Sequence, residues 1–146
     1  MKTAFVYTHR YFDYTYGTSH PLKNERLRMT YDLCRAYGLF DLPDTMLIET
    51  VPATDEEILR FHKPDYMEEL KKASQGLVYE NFLYGLGPGD NPVFPGVWEW
   101  SLLQSGASLQ CARLVAEKKV RIAFNIAGGL HHAHEDRASG FCYVND

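Results

Sequence analysis

Apolar residues in this chain come first as short continuous runs and then at helical spacing. Residues 4–7 (AFVY) form an all-apolar run, which predicts a strand buried on both faces, as in a parallel sheet. A turn-rich stretch with Gly17 and Pro21 follows. Leu27, Tyr31 and Cys34 then share one face of a helix expected to run from a cap at Asn24 to about Tyr37, with Gly38 placed to end it. Residues 46–51 (MLIETV) read as a second strand. Thr54 and Glu57 have capping-box spacing, which predicts a short helix through Ile58 and Phe61. Pro64 can start another helix, carrying Tyr66, Met67 and Leu70.

Residues 74–96 break the periodicity. Gly76, Gly85, Gly87, Gly89 and Gly96 alternate there with Pro88, Pro92 and Pro95. Loops of this length are usually functional or disordered, and Tyr79, Phe82, Tyr84 and Phe94 argue against a plain linker. Residues 97–119 return to a helical pattern, with small residues (Ser105, Gly106, Ala107, Ser108, Ala112) suited to close packing on a sheet, and with Lys118 and Lys119 suited to the negative end of the helix dipole. Residues 120–126 (VRIAFNI) read as a third strand, broken by Gly128 and Gly129. Strands alternating with helices are the grammar of an α/β fold: a parallel sheet flanked by helices. No internal repeat, low-complexity stretch or linker divides the chain.

Composition narrows the classes. With 45% hydrophobic and 23% charged residues among 146, the chain reads as a globular domain with a real core. A formal net charge of −4 argues against direct nucleic-acid binding. Cys34, Cys111 and Cys142 are scattered and odd in number, which argues against a disulfide framework and for reduced thiols in a cytoplasmic protein. The N-terminal apolar run is too short for a signal-peptide core, and no stretch approaches the roughly 20 residues of a membrane helix.

The chemistry concentrates at residues 128–146, GGLHHAHEDRASGFCYVND. His131 and His132 fall just after the third strand, where open α/β sheets bind ligands. On extended backbone, adjacent side chains point to opposite sides, so the pair could serve two separate environments. Histidine is the natural proton carrier near neutral pH. Two metal readings compete with this. His132, His134 and Asp136 spell HxHxD, part of the motif of metallo-β-lactamase-like hydrolases, although Arg137 stands where that motif has a further histidine. His131, His132 and His134 could also be ligands of a different site, since imidazole suits zinc.

The continuation of the segment resembles the active-site region of class I-like histone deacetylases and of bacterial acetoin-utilisation deacetylases. The matching elements are Gly128-Gly129, His131-His132-Ala133, the block from Ala138 to Tyr143, and Asn145-Asp146. Upstream, His20-Pro21-Leu22-Lys23 with Arg26 is similar to the family's HPxKxxR segment, Phe61-His62 with Asp65-Tyr66 to its FHxxDY segment, and residues 89–96 to its loop before the long helix. The likeness runs in order along essentially the whole chain. It implies that residues 1–146 are the N-terminal part of a single catalytic domain of the arginase/deacetylase fold.

The resemblance also implies roles. His132 corresponds to the general base and acid, and His131 to its electrostatic partner; neither is a zinc ligand. Gly140 and Phe141 correspond to the wall of an acyl-lysine tunnel, Asp90 to a rim aspartate that holds substrate backbone, and Arg26 to an inner-cavity arginine serving acetate release. His20 and His62 read as structural, and Cys142 as a small buried residue. The family's zinc ligands, two aspartates and a histidine, match no residue of this chain, nor do the carbonyl-polarising tyrosine and the aspartates that orient the histidine pair.

The expected activity of the complete protein is therefore zinc-dependent hydrolysis of an acetylated amine, on an acetylated-lysine protein or a small acetylated amine. The segment alone is expected to be inactive and to leave apolar sheet faces that require the missing C-terminal part or another chain. The bacterial likeness makes histones a poor default substrate. Two alternatives stand beside this reading: a metallo-β-lactamase-like hydrolase using HxHxD, and a non-catalytic acyl-lysine-binding module.

Overall fold

The computed structural model describes residues 2–146. Three parallel strands form its sheet: β1 (Thr3–Tyr7), β2 (Thr45–Glu49) and β3 (Ile122–Asn125), in the order β2-β1-β3. Phe5 pairs with Leu47 on one side and with Phe124 on the other. The central position of β1 explains its all-apolar run, since both of its faces are covered: Ala4 and Val6 are wholly buried, and Phe5 and Tyr7 nearly so. This is the α/β parallel sheet expected from the alternation of strands and helices.

Among the described residues four α-helices accompany the sheet: α1 (Glu25–Ala36), α2 (Asp55–Ile58), α3 (Pro64–Ser74) and α4 (Val97–Ala116). Tyr31 of α1 stacks flat on Tyr7, with ring centroids 4.3 Å apart, so α1 lies on the face of β1 that carries Phe5 and Tyr7. The buried helix α4 packs on β1, β3 and α3. Its small residues meet the sheet at Ser108, whose Oγ accepts from Asn125 of β3, and serve a further neighbour at Gly106. Gly106 admits the backbone of residues 51–53, and Ala53 N–H donates to the Leu102 carbonyl at 2.9 Å. One turn on, the Gln110 side chain brackets the same segment, donating to Glu49 O and accepting from Val51 N–H.

The element ends differ from the sequence reading for local reasons. β2 stops at Glu49 because its partner β1 ends at Tyr7; Thr50 N–H makes the last bond across, to Tyr7 O, and Val51 N–H, on the outer side of this edge strand, is taken by Gln110. The capping box at Thr54 and Glu57 is present, but α2 ends at Ile58 and leaves Phe61 half exposed. Asn24 does not cap α1 with its side chain; its amide donates instead to Tyr11 O and Tyr14 O, tying the preceding loop to the helix start. Lys118 lies beyond the end of α4, at a left-handed φ of 57°, where Lys118 and Lys119 N–H close onto Val115 and Leu114. Ile122 and Phe124 of β3 and Met46 and Leu47 of β2 are exposed, so both edges of the sheet present apolar side chains to solvent.

Candidate functional site

The site grows from the end of β3. The Asn125 side chain ties the strand end to the helix and to the turn: its Nδ2 donates to Gln104 O and Ser108 Oγ of α4, and its Oδ1 accepts from Ala127 N–H. Gly128 then passes where a Cβ would meet Ser108, Asn125 and Asp146 side-chain atoms within 2.8 Å. Gly129, at φ 87°, reverses the chain, and His131 N–H donates to Gly129 O at 3.1 Å. That three-residue closure means the backbone is not extended here.

The alternation expected for the two histidines therefore does not hold. The His131 and His132 rings lie side by side, with centroids 4.2 Å apart and planes inclined by 38°. His131 Nδ1 lies 2.9 Å from Gly129 O. A carbonyl can only accept, so Nδ1 carries the proton and Nε2 of the neutral ring is left with its lone pair. The His132 ring rests on Gly140, where an added Cβ would come within 2.9–3.1 Å of three ring-side atoms. Both histidines are exposed.

Gly140 and Phe141 occupy the tip of a tight turn closed by a pair of Ser139–Cys142 backbone hydrogen bonds. Both have positive φ, 51° and 70°, as in a type I′ turn. This is costly for a phenylalanine, and the surroundings hold it. Tyr16 OH donates to Phe141 O at 2.9 Å, and the Phe141 ring meets His20 edge to face at 4.6 Å. Asn91 donates to Cys142 O, and Tyr66 OH to Tyr143 O at 2.6 Å. Three successive carbonyls are thus each fixed from a different part of the chain. Burial pushes the phenols of Tyr16, Tyr66 and Tyr143 well above their ordinary range, so they stay protonated donors at neutral pH. Tyr66→Phe is expected to lower stability by about 1–3 kcal/mol, because it orphans the buried Tyr143 carbonyl; urea denaturation with an unchanged midpoint would disprove it.

Asp90 is exposed in the loop before α4. His20 joins that loop to the Phe141 turn. Its Nδ1 accepts from Leu22 N–H, which puts the proton on Nε2, and Nε2 donates to Asp90 O at 3.1 Å. Tyr143 OH donates to Pro92 O in the same loop. Upstream, Ala138 N–H bonds Tyr84 O, and Gly85 leaves no room for a Cβ against Ala138 O. Arg26 is exposed on α1, with Nε donating to Lys23 O, and lines a cavity of about 70 Å³ together with Trp100, Gln104, Gly128 and Leu130. The structure thus gathers His131, His132, Gly140 and Phe141 directly, links Asp90 to them through His20, and sets Arg26 beside the turn that leads to the histidines.

The metal readings are not assembled. Among the described residues no group of three His, Cys, Asp or Glu side chains could hold a metal ion. Asp136 faces Lys63 at 3.5 Å, beside Glu135 at 2.7 Å, and these partners, Glu135 first, raise the lysine's pKa. HxHxD therefore fails because its aspartate belongs to an exposed ion-pair cluster. His62 is buried, which holds its pKa down, and its Nε2 accepts from Asn145 N–H. Burial likewise raises the Cys142 thiol, which points at Gly140 O; it is a buried thiol, not a thiolate nucleophile.

Sequence reasoning missed what Asn145 and Asp146 do. The Asp146 carboxylate accepts from Leu130 N–H at 2.6 Å, Gly129 N–H at 3.2 Å and Ser108 Oγ at 2.5 Å. Asn145 donates to His131 O and Ala133 O. Nothing local signals these roles, since the partners lie 12 to 38 residues away. No helix among the described residues is long and apolar enough to cross a membrane.

Comparison with known proteins covers the same ground. Residues 20–146 match the sequence model of the histone deacetylase domain. The chain is 35% identical to Histone deacetylase RPD3 of Saccharomyces cerevisiae over 99% of its own length, and 37% identical to Acetoin utilization protein AcuC of Bacillus subtilis, also over 99%. It covers 34% and 37% of those proteins, so it spans about a third of the length of the curated relatives it matches. A crystal structure of an HDAC homolog complexed with SAHA superposes with a TM-score of 0.88 at 35% identity, over 99% of this chain and 39% of that one. A crystal structure of an HDAC homolog from Aquifex aeolicus gives the same values.

Proposed function

The chain belongs to the histone deacetylase family, and from that premise we propose that it is the N-terminal part of a catalytic domain that hydrolyses acetylated amines, N-acetyl-lysine or a related small amide. The observation that carries the proposal is the pair of imidazoles 4.2 Å apart, one of them seated on the Gly140–Phe141 turn. A proton carrier and an apolar wall for an alkyl chain are thereby adjacent.

In this reading water attacks the acetyl carbonyl carbon while His132 takes its proton. As the C–N bond breaks, His132 returns that proton to the amine nitrogen, and acetate and the free amine leave. His131, its Nδ1–H held on Gly129 O, presents Nε2 toward the site and stabilises the charge that forms on its neighbour. Phe141 packs along the substrate's methylenes, Gly140 O accepts a hydrogen bond from it, and Asp90 holds its backbone at the rim. Arg26 attracts the acetate product. Zinc, the cofactor implied by the resemblance, does not fit the described residues, which bring no three ligands together; the roles assigned to this chain are proton transfer, positioning and binding.

The test is hydrolysis by the complete protein of an acetyl-lysine peptide and of N-acetylated diamines, followed as acetate release. Turnover of at least one of them is expected, and residues 1–146 alone should release none. A complete protein that hydrolyses no acetylated amine overturns the reading, and one that binds the peptide without turnover replaces it with a binding module.

A further inference from the structure

No strand or helix underlies the histidine pair. Residues 128–133 lie between the end of β3 and the bridge at His134, and their geometry is fixed by side chains. We infer that the dipeptide Asn145-Asp146 is the positioning clamp of the histidine pair, with Asp146 its decisive half; the inference rests on the proposed proton-transfer role of His132.

The two residues grip opposite flanks of the pair. Before it, Asp146 takes two consecutive backbone donors, Gly129 N–H on Oδ2 and Leu130 N–H on Oδ1, and its own N–H donates to Leu130 O. After it, the Asn145 amide donates to the carbonyls of His131 itself and of Ala133. The clamp is anchored twice. Ser108 Oγ of α4 donates to Asp146 Oδ2 and also accepts from Asn125 at the end of β3, so the carboxylate is referred to a buried helix and a strand. Asn145 N–H is referred to the buried His62. Gly128 leaves the space in which Ser108, Asn125 and Asp146 meet.

A carboxylate is the group this geometry requires. Three donors converge on its two oxygens, and bonds to an ionised acceptor are about twice as strong as neutral ones. Asparagine can keep its oxygen on Leu130 N–H, but its NH2 then faces Gly129 N–H, which cannot accept. Alanine releases all three donors. Because His131 is the second residue after Gly129, loosening that turn moves both rings.

In the complete protein, Asp146→Ala is expected to lower kcat by roughly 10–100-fold with KM changed less than about 3-fold, the signature of displaced catalytic groups. Asp146→Asn should recover part of the loss, and its melting temperature should stay near the parent's. Ser108→Ala, which cuts only the link to α4, should lower kcat several-fold in a folded protein. A further readout needs no turnover: in histidine-labelled protein the inter-ring NOE between His131 and His132 should be present in the parent and lost in Asp146→Ala. Unchanged kcat in Asp146→Ala, or an Asp146→Ala that unfolds while Ser108→Ala keeps full kcat, overturns the clamp. If the parent turns over no acetylated amine, the functional reading fails, and the NOE still decides whether the clamp exists.

Discussion

His132→Ala should lower kcat on an acetyl-lysine peptide by about 10³-fold, in the middle of the range that general acid–base catalysis supplies. The fold should survive, because the His132 ring is exposed and rests on Gly140 and against His131 rather than in the core. KM should change little, since the substrate-binding roles are proposed for Phe141, Gly140 and Asp90 rather than for His132. His131→Ala should cost less, because its neighbour can still move the proton without an imidazole beside it. The measurement is steady-state kinetics on both variants, with circular dichroism to verify folding. Full activity in His132→Ala removes the proton-carrier assignment. A larger loss in His131→Ala than in His132→Ala exchanges the two roles.

How legible such a site is depends on the range of the interactions that build it. β1 could be read from four letters because a strand covered on both faces needs an unbroken apolar run. The capping box could be read because its partners are three residues apart. The histidines and the Gly140–Phe141 segment were visible as a pattern, yet their arrangement was not. The rings meet because Gly129 reverses the chain, and Phe141 adopts a positive φ because Tyr16, 125 residues away, takes its carbonyl. The strand order β2-β1-β3 was hidden for a related reason: β2 and β3 carry apolar residues that remain exposed at both sheet edges, so hydrophobicity alone did not say which strand is central. HxHxD shows the opposite error. A local spacing suggested a metal site, and the Lys63–Glu135–Asp136 cluster, invisible in the spacing, removed its aspartate.

Gly106→Ala tests the packing that sets the site in place, and its sign is the informative part. In the middle of a helix, alanine is normally better than glycine by about 1 kcal/mol. Here a Cβ would lie 2.1 Å from Val51 O, 2.5 Å from Ala53 N and 2.7 Å from Pro52 C. All three are backbone atoms, so no rotamer change relieves the contact, and α4 must part from residues 51–53. That would break the Ala53 N–H to Leu102 O bond and strain the Gln110 bracket one turn on. Overpacking of this kind costs about 1–3 kcal/mol and occasionally more, which outweighs the propensity gain, so Gly106→Ala should be destabilised by about 2 kcal/mol and Gly106→Leu should not fold. Ala112→Gly, at an exposed position of the same helix, supplies the reference by losing about 1 kcal/mol through propensity alone. Chemical denaturation of the three variants reads the order directly. The displacement also reaches the site, since α4 carries Ser108, two residues on, against Asn125 and Asp146. A Gly106→Ala protein at least as stable as its parent would mean that α4 and residues 51–53 do not touch as described, and the position of the histidine turn relative to the sheet would then need a different anchor.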